Sequence, residues 1–324
     1  MDQENITREI ISGIVDLYIR EISQDPNRAV RKLLDMAERT SDGPTQKICY
    51  QMMQQMAKDE RSPYYEMIHH LVTTADPLTI RQFGINLGRN AWTFGSGHIR
   101  RLIKEQSTSI PWAVIIDRRN DPERIPFEDV KEIIRCGHDV DVFAYVLLVP
   151  DDPDEWAQYA ELFRAYGDCD FAVCAGAPAF KEEVLEQAAG MTNLMFLVNT
   201  DEPGWQDCFE KLEARGFLYS AFRFVSDAEQ AEDVISGSWF DGLVPYHPLM
   251  AFTSAADELP EECARSLKVY MWNTRLEQVY PFLPVDMISD FVIINRLVTQ
   301  KDTLYRIEAD GRVSVAEEFR FRRQ

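Results

Sequence analysis

The sequence predicts an α/β protein of six strand–helix units in one parallel sheet, either curled as a partial (β/α)6, TIM-like barrel or open and doubly wound, with an all-helical region before it and a helix plus β-hairpin after it. Three observations predict this. Short, nearly continuous apolar runs recur from Trp112 onward at intervals of roughly 24–29 residues. Amphipathic stretches ending in glycine fill the gaps. The first hundred residues carry only helical periodicity. The boundaries read as 1–106 for the helical region, 107–256 for the barrel and 257–324 for the C-terminal extension.

In the helical region, Ile6, Ile10, Ile11, Ile14, Val15 and Tyr18 form an apolar stripe with one face to bury. Asp25-Pro26, Ser62-Pro63 and Asp76-Pro77 each place a capping side chain before a proline at the first helical position, where the missing N–H costs nothing. Ser41-Asp42-Gly43-Pro44 opens a helix bearing Met52, Met53 and Met56, which reads as core filler. From Phe83 to His98 the helical period breaks. Four glycines and two asparagines there predict a compact, turn-rich joint, without the lysine and hydroxyl of a phosphate loop.

Six strands are expected at Trp112–Ile116, Val142–Val149, Phe171–Val173, Leu194–Val198, Leu218–Val225 and Leu243–Tyr246. Their unbroken apolar character suits parallel strands covered on both faces. Gly137, Gly167, Gly190 and Gly216 follow the intervening helices as expected left-handed caps. Such a succession implies right-handed crossovers in one parallel sheet, curled or doubly wound, and the missing nucleotide fingerprint disfavours a dinucleotide fold. A helix over about Pro260–Gln278 and a hairpin from Thr303 to Val315, turned at Asp310-Gly311, complete the chain.

The 34 lysines and arginines face 54 acidic residues, for a net charge of −20, a field that repels nucleic acid and anionic lipid. The short basic runs Arg118-Arg119 and Arg320 to Arg323 do not reverse it. No segment is apolar enough for a membrane span, and Met1–Asn5 lacks the basic and apolar regions of a signal peptide, so the reading is cytoplasmic. The six cysteines form no CxxC pair, which disfavours zinc or cluster sites built on local spacing.

Several of these segments resemble a clostridial-type group of radical S-adenosylmethionine (radical SAM) proteins. The matches are Gly88-Arg89-Asn90-Ala91-Trp92-Thr93-Phe94-Gly95 with Ile99-Arg100, the strand entry Pro111-Trp112-Ala113, and Ile307, Ala309, Gly311 and Val313 of the hairpin. The resemblance implies a radical-SAM-type barrel with a [4Fe–4S] cluster on a CxxxCxxC motif in the first βα turn. Residues 117–126 contain no cysteine, and carboxylates and guanidiniums do not replace soft thiolates on iron. The family's Gly-Gly-Glu-Pro stands here as Pro150-Asp151-Asp152-Pro153, its acidic position after the fourth strand falls near Asp201, its proline after the sixth matches Pro248, and its auxiliary cluster cysteine falls at about Ala316. The resemblance therefore implies a degenerate member that has lost its radical chemistry. No cofactor is expected; SAM binding without cleavage is the disfavoured alternative. An active paralogue or a second copy of the chain is the partner this reading allows.

Ligands of parallel α/β barrels gather at strand C-terminal ends. The polar residues expected there are Asp117, Arg118, Asp151, Asp152, Asn199, Asp201, Arg223, Ser226 and His247. Asp117, Arg223 and His247 are the catalytic candidates, with an aspartate or His247 as base and Arg223 as anion clamp. Asp151, Asp152, Asn199 and Asp201 are the ligand-binding candidates. A hard or borderline metal on Asp117, Asp151 and His247 is the alternative grouping, and no metal is expected. The competing reading is that all are helix caps and solvated loop charges. Two functions follow: a non-catalytic binding or scaffolding pseudoenzyme, or a repurposed enzyme acting on a small polar or phosphorylated substrate. His69-His70, adjacent on a helix, point about 100° apart and do not chelate one ion together. Cys174, at a strand end, is expected to be a packed thiol.

Overall fold

A computed structural model describes residues 3–40, 44–119, 124–300, 303–307, 311 and 313–317. Five helices, α1 (Gln3–Gln24), α2 (Pro26–Thr40), α3 (Pro44–Met56), α4 (Pro63–Thr74) and α5 (Pro77–Ile85), are followed by a π-helical segment (Asn86–Gly95) and α6 (Ser96–Gln106). The capping residues act as the sequence predicts. Asp25 accepts from Arg28 N, Ser62 from Tyr64 N, and Asp76 from Leu78 N and Thr79 N. The stripe residues Ile6, Ile10, Ile11 and Ile14, the turn at 41–43 and the arginines at 320–323 lie outside the described side chains.

The alternation then runs β1 (Ala113–Asp117), α7 (Phe127–His138), β2 (Ala144–Leu148), α8 (Trp156–Ala165), β3 (Asp170–Ala175), α9 (Glu182–Ala188), β4 (Leu194–Asn199), α10 (Trp205–Ala214) and β5 (Leu218–Val225). It continues with α11 (Ala228–Ile235), α12 (Ser238–Leu243), β6 (Met250–Ala255), α13 (Glu261–Glu277), β7 (Leu283–Asp286), α14 (Met287–Thr299), β8 (Thr303–Ile307) and β9 (Val313–Glu317). The sheet order is β7-β6-β5-β4-β3-β2-β1-β8-β9. Strands β1 to β8 are parallel and curl into a half-barrel, and β9 pairs antiparallel with β8.

The winding follows from where the apolar side chains go. Val114, Ile116, Tyr145, Leu147, Phe171, Phe196, Val198 and Ala221 pack in one cluster with the crossover helices, through Ile134, Phe163, Leu185, Leu212 and Val234. A doubly wound sheet spreads its crossovers over both faces; here those joining β1 to β7 lie on one, and these strands run in sequential order without a switch point. The opposite, inner face (Ile115, Val146, Leu148, Cys174, Leu197, Phe222 and Phe252) is filled by Leu71 and Ala75 near the α4 terminus, by Ile80 and Phe83 of α5, and by Val292 of α14. Asp76 N donates to Gly216 O at 2.9 Å, pinning the start of α5 under the α10–β5 turn. Gly216 has φ +71°, and a Cβ there would lie 3.0 Å from Asp76 N, so both the turn and the contact require glycine.

Four expectations are corrected. The apolar run Leu243–Tyr246 is helical, because Pro245 opens a 3-10 turn, and the sixth strand is Met250–Ala255, whose Thr253 and Ser254 dilute its apolar signal. The six-unit count is replaced by eight parallel strands among the described residues. The seventh, β7, carries little strand signal in the sequence because it is four residues long and holds Pro284, as an edge strand tolerates. Gly137 and Gly167 are not left-handed, unlike Gly190 and Gly216; Gly137 lies inside α7, where a Cβ would run into the Tyr145 hydroxyl. The joint at 86–95 is helical and not turn-rich. Its widened turns bring Asn86 and Asn90 to the α8–β3 loop, where Asn86 Nδ2 donates to Gly167 O and Cys169 O and Asn90 Nδ2 to Asp168 O. The hairpin strands are as expected, while Asp310 lies outside the described residues.

Gly95 is the contact point of that joint. A Cβ there would meet Asp141 O at 2.5 Å and Asn90 O at 2.8 Å, both rigid backbone atoms. Gly95→Ala is expected to cost about 1–3 kcal/mol through overpacking, read as a lowered urea midpoint at unchanged slope.

Candidate functional site at the strand carboxyl ends

Asp117 ends β1 with its carboxylate buried on the inner side. Arg119 donates to it from its backbone N (3.1 Å), Nε (3.0 Å) and Nη2 (2.8 Å), and Arg306, opposite Ile115 on β8, donates from Nη2 at 2.8 Å. Burial opposes the charge of Asp117, but the two guanidiniums outweigh it and hold its pKa below the ordinary carboxylate value. Two cations thus share one anion. The Arg119 guanidinium also sits 3.9 Å from the centre of the Phe224 ring, a cation–π contact that fixes its plane.

Cys174 lies beneath this group. Burial pushes its thiol up; the charge of Arg119 opposes that shift and those of Asp117, Asp151 and Asp201 add to it. Asp151 accepts from Gly176 N at 2.6 Å. Arg223 donates from Nε to Asp201 at 2.8 Å and from Nη1 to Asp233, and stacks over Trp239. Burial raises Asp201 despite that guanidinium.

The remaining candidates have structural duties. Asp152 caps the 3-10 turn at Pro153 by accepting from Asp154 N, and Asn199 Oδ1 accepts from Asp201 N. Ser226 donates to Gln230. Arg118 points to the opposite side of β1, where it donates to Ile125 O, Glu155 and Tyr159, and Arg124 shares Glu155. The turn residues 120–123 lie outside the described part.

His247 is corrected. It follows the short helical turn Val244–Tyr246 and precedes β6, so it stands at the amino end of that strand, away from the mouth. There it stacks on His70 of α4, with ring centroids 4.3 Å apart. The proposed grouping of Arg223 with His247, and the metal grouping of His247 with Asp117 and Asp151, are therefore not formed. Burial lowers the pKa of His70 from its ordinary 6.5, His247 adds to the shift, and Glu213 opposes it. Because the unfolded chain protonates first, stability is expected to be flat above about pH 7 and to fall as pH drops through 6.5. Urea midpoints between pH 8 and 5 check this, and His70→Phe should flatten the slope.

The donors at the first βα turn are a carboxylate and guanidiniums, with Cys174 the one thiol at the mouth among the described residues. Cys136 lies on α7, Cys208 on α10, Cys263 on α13, and Cys169 before β3. This set does not fit a [4Fe–4S] cluster, which takes converging thiolates. The Arg119–Arg306 pairing on Asp117 was missed from sequence, because 189 residues separate Arg306 from Asp117. No family model matches the chain, and no curated protein matches it either. Among the described residues, no helix is long and apolar enough to cross a membrane.

Proposed function

We propose that this chain is a degenerate radical-SAM-like protein without a cluster, acting by binding and not by catalysis, and that its ligand is a small polar molecule carrying a phosphate or carboxylate group. The observation that carries the reading is the convergence of Arg119 and Arg306 on Asp117 at the carboxyl ends of β1 and β8, the ligand end of a parallel half-barrel. An incoming anion finds two guanidiniums already aligned, and the planar guanidinium fork matches the oxygens of a phosphate or carboxylate. Catalysis has less support. The rim aspartates are engaged by arginines, a cap or a backbone amide, Cys174 is held as a thiol, and the histidine that would act as base stands at the other end of the sheet.

Calorimetric titration with inorganic phosphate, pyrophosphate and citrate tests the reading. Saturable heat is expected with at least one of them, weakened about tenfold or more in the Arg119→Gln/Arg306→Gln variant, since each lost charged hydrogen bond is worth about 1.5–3 kcal/mol. No saturable heat with any of the three contradicts it. Anaerobic incubation with iron and sulfide should leave the protein colourless. A stoichiometric [4Fe–4S] absorbance overturns the cluster-free part.

A further inference from the structure

At the amino end of the sheet, remote from the rim, three metal-ligating side chains meet. His138 is the last residue of α7, and Asp168 and Cys169 form the loop between α8 and β3. One ligand atom from each (a ring nitrogen, a carboxylate oxygen and Sγ) lies within 4.8 Å of the others. His138 Nε2 is already 3.0 Å from Asp168 Oδ2. We propose that His138, Asp168 and Cys169 form a binding site for a single divalent transition-metal ion of the zinc type, with water in the fourth position.

Donor chemistry, geometry and support favour this ion. Imidazole, carboxylate and thiolate together are a borderline set that suits zinc and not calcium or magnesium. Bonds of about 2.0–2.3 Å in a tetrahedron place ligand atoms roughly 3.3–3.8 Å apart, so the three need to close by only about an ångström. The loop bearing two of them is held from behind. Asn90 Nδ2 donates to Asp168 O at 3.0 Å and Asn86 Nδ2 to Cys169 O at 3.1 Å, so the π-helical joint acts as the outer support of the site. The rings of Phe143 and Tyr166 flank the His138 imidazole edge-on, with centroids 5.5 and 5.2 Å away. The side chains of His138 and Asp168 are 33% and 42% exposed while Cys169 is fully buried, so the ion enters from the solvent side and water can complete the shell. Burial first, then Asp168 and Asp170, keep the free thiol protonated. Metal binding therefore forms the metal–sulfur bond with release of that proton to solvent, and no electron changes hands. The bound ion would clip the end of α7 to the entry of β3.

Cobalt(II) titration of the chelator-treated full chain tests the site, because a thiolate ligand gives a sulfur-to-cobalt charge-transfer band and tetrahedral coordination gives intense visible bands. One equivalent is expected to bind with both signatures, and one equivalent of zinc to bleach them. Cys169→Ser should abolish the charge-transfer band, His138→Ala should weaken affinity about tenfold or more, and Cys136→Ser should leave the spectrum unchanged. If Cys169→Ser does not fold, His138→Ala, altered at a partly exposed position, decides alone. Cobalt uptake without a sulfur band, or a spectrum indifferent to His138→Ala, overturns the proposal.

Discussion

Replacing Arg275 by methionine is expected to destabilise the protein by about 3–5 kcal/mol, because it strands a buried carboxylate. Arg275 of α13 donates from both terminal nitrogens to Asp290 of α14, and from Nε to Pro284 O of β7 at 2.8 Å. The two side chains are only 10% and 12% exposed, so solvent does little to screen or replace the pair. Asp290 also accepts from Asp286 N at 2.9 Å, and the carbonyl of Arg275 accepts from the Tyr64 hydroxyl on α4. One guanidinium therefore joins α13, β7 and α14, the elements that close the β7 side of the half-barrel, and its residue also anchors α4. The double variant Arg275→Met/Asp290→Asn should recover most of the loss, since a neutral amide oxygen still accepts from Asp286 N without a buried charge. Urea unfolding of the single and double variants checks both. Equal losses in the two would show that the charge is not what matters.

The second large effect concerns the rim. Asp117→Asn removes the anion that holds Arg119 and Arg306, and is expected to cost about 2–3 kcal/mol, less than a fully buried pair because Arg119 is nearly half exposed. The same change removes one negative charge from between the two guanidiniums, so the variant should bind phosphate or pyrophosphate more tightly than the parent protein. Ligand at one hundred times its Kd returns about 2.7 kcal/mol. The expected result is a variant that melts well below the parent in an anion-free buffer and regains most of the difference when pyrophosphate is added. A variant whose midpoint ignores the anion would show that the two arginines serve packing alone.

The regular part of this fold is legible in the sequence because its signals are local. The first five strands stand out as apolar runs such as Tyr145–Leu148 and Leu194–Val198, and the caps at Asp25, Ser62 and Asp76 are recognisable from the proline that follows. What escaped is where local signals conflict. Leu243–Tyr246 is apolar enough for a buried strand yet too short to tell from a buried helix, and Pro245 settles it. That single displacement carried His247 from the expected mouth to the opposite end of the sheet. The π-helical joint was hidden by its glycines, of which Gly95 serves close approach to Asp141 while Gly84, Gly88 and Gly97 have open space around them, and none of them turns the chain. The rim was half legible. Asp117, Asp151, Asp201 and Arg223 lie at strand ends as predicted, because strand ends follow from strand positions. Arg306 was out of reach, since its place beside Asp117 depends on β8 returning to pair with β1.

On the proposed function, the carboxyl ends of β1 and β8 form an anion-binding site on a scaffold without a cluster. Crystals soaked in tungstate, a phosphate analogue with strong anomalous scattering, test it most directly. The predicted result is a dominant anomalous peak within hydrogen-bond reach of the Arg119 and Arg306 guanidiniums. A map whose peaks all lie elsewhere, with that position empty, would contradict it.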